Sequence, residues 1–142
     1  LPSIYLNRLS KEERRKLEIY RDLESLAYEM NLTLDAVIVE GSHDKATLKS
    51  LGFKIPILQV SCGRTFNQIV DDMVEKFKKV AILTDFDEEG ERISRKLTEL
   101  MERGGVKVDS FYRNSFKKLM KEAGLTTLES IYTLKQELFS RT

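Results

Sequence analysis

Two short acidic segments hold the side chains most able to do chemistry. The first is Val37-Ile38-Val39-Glu40-Gly41, and the second is Thr84-Asp85-Phe86-Asp87-Glu88-Glu89-Gly90. Each follows an apolar run, so each would place carboxylates where a β-strand ends. Glu40 and Asp85 are 45 positions apart in the chain. If their strands are neighbours, at about 4.8 Å, the acids can converge on one small volume. Carboxylates gathered in this way repel one another and raise their own pKa values. A hard divalent cation offsets that cost. Mg²⁺ does so with oxygen ligands, usually one or two carboxylates completed by waters and a substrate phosphate. Asp85, Asp87 and Glu89 alternate, so in an extended segment they would point to one side. Gly41 and Gly90 let the backbone turn close to a ligand.

Four strands are needed to position these groups. The runs Ala36 to Val39, Ile57 to Val60 and Val80 to Leu83 are apolar and rich in β-branched residues, and Val106 to Val108 is a weaker fourth. Continuous apolar strands suit a parallel sheet covered on both faces. Helical stretches lie between them: Asp44 to Leu51, Thr65 to Lys78, and Glu89 to Arg103, the last stopped by Gly104-Gly105. Strand alternating with helix predicts an α/β fold, a Rossmann-like four-stranded parallel sheet with right-handed crossovers and helices on both faces. Ahead of it, Ser10 and Glu13 form a capping-box pattern. Leu17, Tyr20, Leu23, Ala27 and Met30 then recur at helical spacing. Two amphipathic pieces follow the core, Ser115 to Ala123 and Leu128 to Phe139. The expected organisation is one domain: an N-terminal helical segment (1–34), a core (35–110) and a helical C-terminal tail (111–142).

Composition agrees with a single globular unit. The chain has 142 residues, 41% hydrophobic and 33% charged, and one domain takes about 100–200 residues. Its 24 Lys+Arg against 23 Asp+Glu give a formal charge of +1. That excludes a globally basic protein but not a nucleic-acid partner, since an acidic metal site can cancel a basic face. The longest uncharged run, Ile55 to Gly63, is far short of the ~20 residues that span a bilayer. No membrane association is expected, and no secretory signal is visible at the start. The chain has one Cys, so a reducing cytoplasm is the default.

The pair Val-Ile-Val-Glu-Gly (37–41) and Thr-Asp-Phe-Asp-Glu-Glu-Gly-Glu (84–91) resembles the Toprim domain of type IA topoisomerases, bacterial primases and the nuclease that matures 5S ribosomal RNA. The resemblance covers roughly residues 35 to 110. Asp85-x-Asp87-x-Glu89 before Gly90-Glu91 looks most like the topoisomerase variant. The size, and the helical tail with Leu128-Glu129-Ser130, are similar to small stand-alone archaeal-type Toprim proteins. One departure is Glu88, where topoisomerases often carry an Arg. The chain has no room for the strand-passing domains of a topoisomerase, and one Cys cannot build a primase zinc site.

The resemblance implies Mg²⁺-dependent phosphodiester chemistry on nucleic acid, RNA or DNA, with nuclease favoured over polymerase. Glu40 would be the catalytic general acid/base and could share a metal. Asp85 and Asp87 would hold one or two Mg²⁺ ions, for which Mn²⁺ can substitute, and Glu89 would support them. The alternative is a binding module, without turnover, that uses the metal to recruit nucleic acid or protein. A protein partner or homo-oligomer is compatible with either.

Residues around these acids have plainer roles to weigh. Asp44 fits the family's Glu-Gly-x-x-Asp spacing, but capping the next helix is its first expectation. His43 is expected to be an exposed loop residue beside the site, with proton shuttling the sharper reading. Arg64 follows the second strand and could grip a phosphate, or else lie in solvent behind Thr65 as N-cap. Lys45 on the helix after Glu40 is a second phosphate candidate. Arg92, Arg95 and Lys96 follow the acidic loop, and Arg113, Lys117, Lys118 and Lys121 read as a basic patch in the tail. Tyr112 and Phe116 are expected in the core, and Cys62 as a partly buried filler.

Overall fold

The computed structural model describes residues 8–140. The expectation that no secretory signal opens the chain concerns residues 1–7, outside the described residues. Helix α1 (Lys11–Thr33) starts because Ser10 accepts from the Glu13 amide while the Glu13 side chain accepts from the Ser10 amide. Leu17, Tyr20, Leu23, Ala27 and Met30 line its buried stripe, joined by Ile19. Strand β1 (Ala36–Val39), helix α2 (Ser42–Leu51), strand β2 (Ile57–Gln59), helix α3 (Phe66–Lys76), strand β3 (Lys79–Ile82), helix α4 (Glu88–Arg103) and strand β4 (Lys107–Asp109) follow. Helices α5 (Phe111–Glu122) and α6 (Ser130–Phe139) close the described chain.

The four strands are parallel in the order β2-β1-β3-β4. Ile38 stands level with Leu58 on one side and Ile82 on the other. Alternate residues divide two cores, as the pleat requires. Val37, Val39, Ala81 and Leu83 pack with α1, α2, α5 and α6, whereas Ala36, Ile38, Val80 and Ile82 pack with Ile69, Val70 and Met73 of α3 and Leu97 and Met101 of α4. Burying each large aliphatic chain contributes about 1.5–3 kcal/mol. Leu128, Ile131, Leu134 and Leu138 share the first core with Leu23 and Met30, so the outer helices pack on one face of the sheet. The pairs of Arg15 with Glu122 and of Lys16 with Glu137 also tie α1 to α5 and α6. They are solvent-exposed and add little.

Among the element edges that depart from the sequence pattern, three helix starts have a visible consequence. Helix α5 begins at Phe111, not Ser115, because the Asp109 carboxylate accepts from the Tyr112 amide at 2.9 Å. Helix α6 begins at Ser130, not Leu128, and the Leu128 amide ahead of it donates to Asp85. Helix α4 begins at Glu88, directly after its N-cap Asp87.

The chain leaves β1 for β2 on one side and then returns to β3 on the other. The β1/β3 edge is therefore the point where connections diverge, the crevice where open α/β sheets bind ligands.

Candidate functional site

Glu40 is the first residue beyond β1, and Asp85 leaves β3 beside it. The ladder runs on past the strands, with the Leu83 amide donating to the Ile38 carbonyl at 2.7 Å. One step further, the Asp85 amide donates to Glu40 Oε1 at 2.9 Å. The Glu40 carbonyl is held from the β2 side, accepting from the Ser61 amide at 2.9 Å and from Ser61 Oγ at 2.6 Å. Both acidic segments thus meet at the divergence point, each on a fixed backbone.

Asp85 is bound from a direction the sequence did not suggest. Its Oδ1 accepts from the Leu128 amide at 2.7 Å, and the Phe86 amide donates to the Thr126 carbonyl at 2.8 Å. The segment ahead of α6 therefore lies against the acidic loop and brings Glu129 close enough to influence Asp85 and Asp44. The cue in the sequence was Leu128, whose burial needs a tail folded back on the core.

Asp87 caps α4, its Oδ1 accepting from the Gly90 amide at 2.8 Å. This breaks the expected alternation, because the chain turns helical at once. Glu89 lies on the exposed flank, held by Arg92 Nε at 3.0 Å and Nη2 at 2.6 Å, and that contact lowers its pKa. Gly90 is required here: a Cβ would stand 1.9 Å from the Asp85 carbonyl oxygen. Thr84 Oγ1 donates to the Gly90 carbonyl at 2.7 Å and locks helix to loop.

Asp44 closes a capping contact, its Oδ2 accepting from the Gly41 amide at 3.1 Å. His43 is exposed. Lys45 is half-buried one turn into α2, with no ion pair among the described residues. Arg64, just ahead of α3, is engaged with that helix, donating to the Gln68 carbonyl at 2.8 Å and pairing with Asp72. Cys62 is exposed rather than partly buried, since it lies beyond β2 in the turn to α3.

Arg113 is the largest correction. It is no part of a surface patch. Its guanidinium is buried under the acidic loop and paired with Glu91, which also meets Lys117 at 3.4 Å. Burial pushes the Glu91 carboxyl up, yet Arg113 and Lys117 outweigh it and hold it below the usual range. The spacing Arg113, Phe116, Met120 placed this arginine on the buried face of α5, a signal that a count of basic residues overlooks.

The rim carries strain from like charges. Glu40, Asp44 and Asp85 all sit above the usual carboxylate range, first because they are partly desolvated. Asp85, Asp44 and Asp87 raise Glu40 further, and Asp87 and Glu129 raise Asp85. Backbone amides offset part of this.

A family model described as the Toprim domain matches residues 35–114, from just before β1 into α5. The chain belongs to the Toprim family. Curated relatives cover most of the chain. The UPF0292 protein of Pyrococcus horikoshii is 34% identical over 83% of this chain and 87% of its own. That of Pyrococcus abyssi is 33% identical over 82% and 86%. A solved structure from Aquifex aeolicus superposes with a TM-score of 0.60 at 29% identity, covering 80% of this chain and 94% of that one. The Toprim match stops before Leu128, so the tail contact with Asp85 lies outside the matched segment.

Toprim domains typically bind Mg²⁺. The donor set at this rim fits that ion: Glu40, Asp85 and Asp87 offer hard carboxylate oxygens, and their mutual repulsion is what a cation relieves. Among the described residues, no three His, Cys, Asp or Glu side chains form a ready claw for an ion. Mg²⁺ does not require one, since it commonly takes one or two carboxylates and keeps several waters. Among the described residues, no helix is long and apolar enough to cross a membrane.

Proposed function

We propose that this Toprim protein carries out Mg²⁺-dependent phosphodiester chemistry on nucleic acid, as a small nuclease. The observation that carries the reading is the Asp85 amide bond to Glu40 Oε1, which joins the two acidic segments at the divergence point of the sheet. With Oε1 engaged, Glu40 keeps a second oxygen for a proton or a metal, and it acts as the general acid/base. Asp85 keeps Oδ2 and Asp87 keeps its second oxygen for Mg²⁺, with one or two ions bound. When bound, Mg²⁺ stabilises charge on the phosphoryl oxygens and orients the attacking oxygen. Lys45 lies on the helix that leaves Glu40 and contributes a phosphate contact. Glu89 and Arg64 serve the ligand only if they leave Arg92 and Asp72. The exposed thiol of Cys62 suits a reducing cytoplasm.

A specific observation favours a second reading, a metal-dependent binding module without turnover. Glu89 faces Arg92 instead of Asp85 and Asp87, so the acidic set is sparser than the sequence motif. One assay separates the two. Labelled single-stranded and hairpin RNA and DNA are incubated with Mg²⁺, with and without Glu40→Gln. The nuclease reading expects cleavage by wild type and loss of cleavage by the variant. Retention of every substrate uncut, with Mg²⁺-dependent binding, selects the module. Equal cleavage by both proteins rejects the site.

A further inference from the structure

We propose that Arg113 is a positioning residue for the acidic rim, fixing where the Asp85 carboxylate stands by gripping the backbone that carries it. The residue is 8% exposed. Nη1 donates to the carbonyls of Ile82 and Thr84, both at 2.9 Å. Nη2 donates to the Asp85 carbonyl at 3.2 Å and to Glu91 Oε1 at 2.6 Å. The guanidinium carbon lies 4.7 Å from the centroid of the Phe86 ring. One planar cation therefore touches the end of β3 and three consecutive residues beyond it.

Burying a cation is costly unless its geometry and partners are good. A lysine cannot replace this arrangement, because only a guanidinium presents a rigid fork to several acceptors at once. The acceptors it uses are the carbonyls at the strand end and on the loop that places Asp85. From the other side, the Asp85 carboxylate is tethered by the Leu128 amide, and the Asp85 amide is tethered to Glu40. Release of the carbonyl grip lets the loop drift and loosens both of those bonds together. Glu91 is the second half of the device, since it holds Arg113 in place from α4. The link to ion binding rests on the divalent-ion reading given above. The positioning claim itself does not.

Amide hydrogen exchange under native conditions, followed by NMR on the full chain, tests the claim with Arg113→Lys and the milder Glu91→Gln. Exchange of the Asp85 and Leu128 amides is expected to speed up about 10-fold or more, while the Val37 and Ala81 amides inside the sheet stay at wild-type rates. Unchanged Asp85 and Leu128 amides overturn the proposal. So does a uniform loss of protection, which would make Arg113 a general stabiliser. If Arg113→Lys does not fold, Glu91→Gln decides alone. Calorimetric titration with Mn²⁺ gives the second readout. Both variants are expected to bind about 10–100-fold more weakly, the usual effect of losing a group that orients a ligand. Wild-type affinity in both variants overturns the proposal. A wild type that binds no Mn²⁺ overturns the divalent-ion reading instead, and the exchange data then decide the positioning claim.

Discussion

The Asp85 backbone amide donates to Glu40 Oε1 at 2.9 Å, bridging 45 residues of chain. This bond makes Glu40 a structural partner of the acidic loop as well as a candidate for proton transfer. A carboxamide oxygen still accepts this bond, if less strongly than a carboxylate, whereas a methyl group does not. Glu40→Gln should therefore fold and melt at or slightly above the wild-type temperature near neutral pH, because it removes repulsion from Asp85, Asp44 and Asp87. Glu40→Ala leaves the Asp85 amide without its partner and should be less stable than Glu40→Gln by about 1 kcal/mol, the low end for an unpaired group at a half-buried site. Chemical denaturation of both variants checks the order. Equal stabilities would mean that the bond does not hold the loop.

Gly90 gives a sharper structural prediction. A Cβ there would collide with the Asp85 carbonyl at 1.9 Å, and that atom belongs to backbone already gripped by Arg113. Gly90→Ala must push α4 away from the loop, at a cost of about 1–3 kcal/mol for overpacking. Gly41 is the control. Its Cβ would meet only Ser61 Oγ, at an ordinary 3.5 Å, and its φ of −141° suits any residue. Gly41→Ala should stay within about 0.5 kcal/mol of wild type. Thermal melts of the two variants, run together, test whether the loop is as tightly docked as the structure has it.

Much of this arrangement could be read from the sequence, and the reasons are physical. Apolar runs ending in Glu40 and Asp85 identify buried parallel strands, and the pleat then fixes which residues enter each core. The motifs converge only if their strands are neighbours, and the order β2-β1-β3-β4 supplies that condition. Glu89 departs from the expected alternation because that pattern assumes an extended chain, while Asp87 starts a helix immediately. Arg113 was misjudged because charge suggests solvent. Its three carbonyl partners are far away in sequence and leave no local signal. The Leu128 contact is only half legible: an apolar Leu128 calls for a tail folded back on the core, but the amide that holds Asp85 has no letter in the sequence.

The acidic rim should make stability depend on pH and on divalent ions together. Glu40, Asp44 and Asp85 hold their protons more tightly when folded than when unfolded. Their contribution is thus fully present below about pH 4, where unfolded carboxylates titrate, and is lost as pH rises through the folded pKa values. Asp35, whose Oδ2 accepts from the Lys78 and Lys79 amides at 2.8 and 3.0 Å, and Glu91 are lowered in the fold and act oppositely, adding stability above about pH 4 that disappears as pH falls through their folded pKa values. A bound cation needs the ionised rim. The gain in melting temperature from millimolar Mg²⁺ should therefore be near zero at pH 4 and grow toward pH 7.5. Glu129→Gln should raise the Mg²⁺-free melting temperature at pH 7.5, since Glu129 adds repulsion to Asp85 and Asp44. A Mg²⁺ effect that is independent of pH would place the ion elsewhere.

Nucleic-acid binding should depend on which cations are free, not on how many there are. Lys117 is engaged with Glu91, Arg92 with Glu89 and Arg64 with Asp72. Lys45 has no ion pair among the described residues and stands one turn from Glu40. If Lys45 contacts a phosphate, its removal should release one fewer counterion on binding. Lys45→Gln is then expected to weaken binding of RNA or DNA evenly across sequences and to lower the salt dependence by about one phosphate contact, while Arg64→Gln leaves both unchanged. Fluorescence anisotropy across a salt series, with catalysis blocked by Glu40→Gln, measures the slopes directly. A wild-type slope for Lys45→Gln with a reduced one for Arg64→Gln would shift the backbone track from α2 to the start of α3.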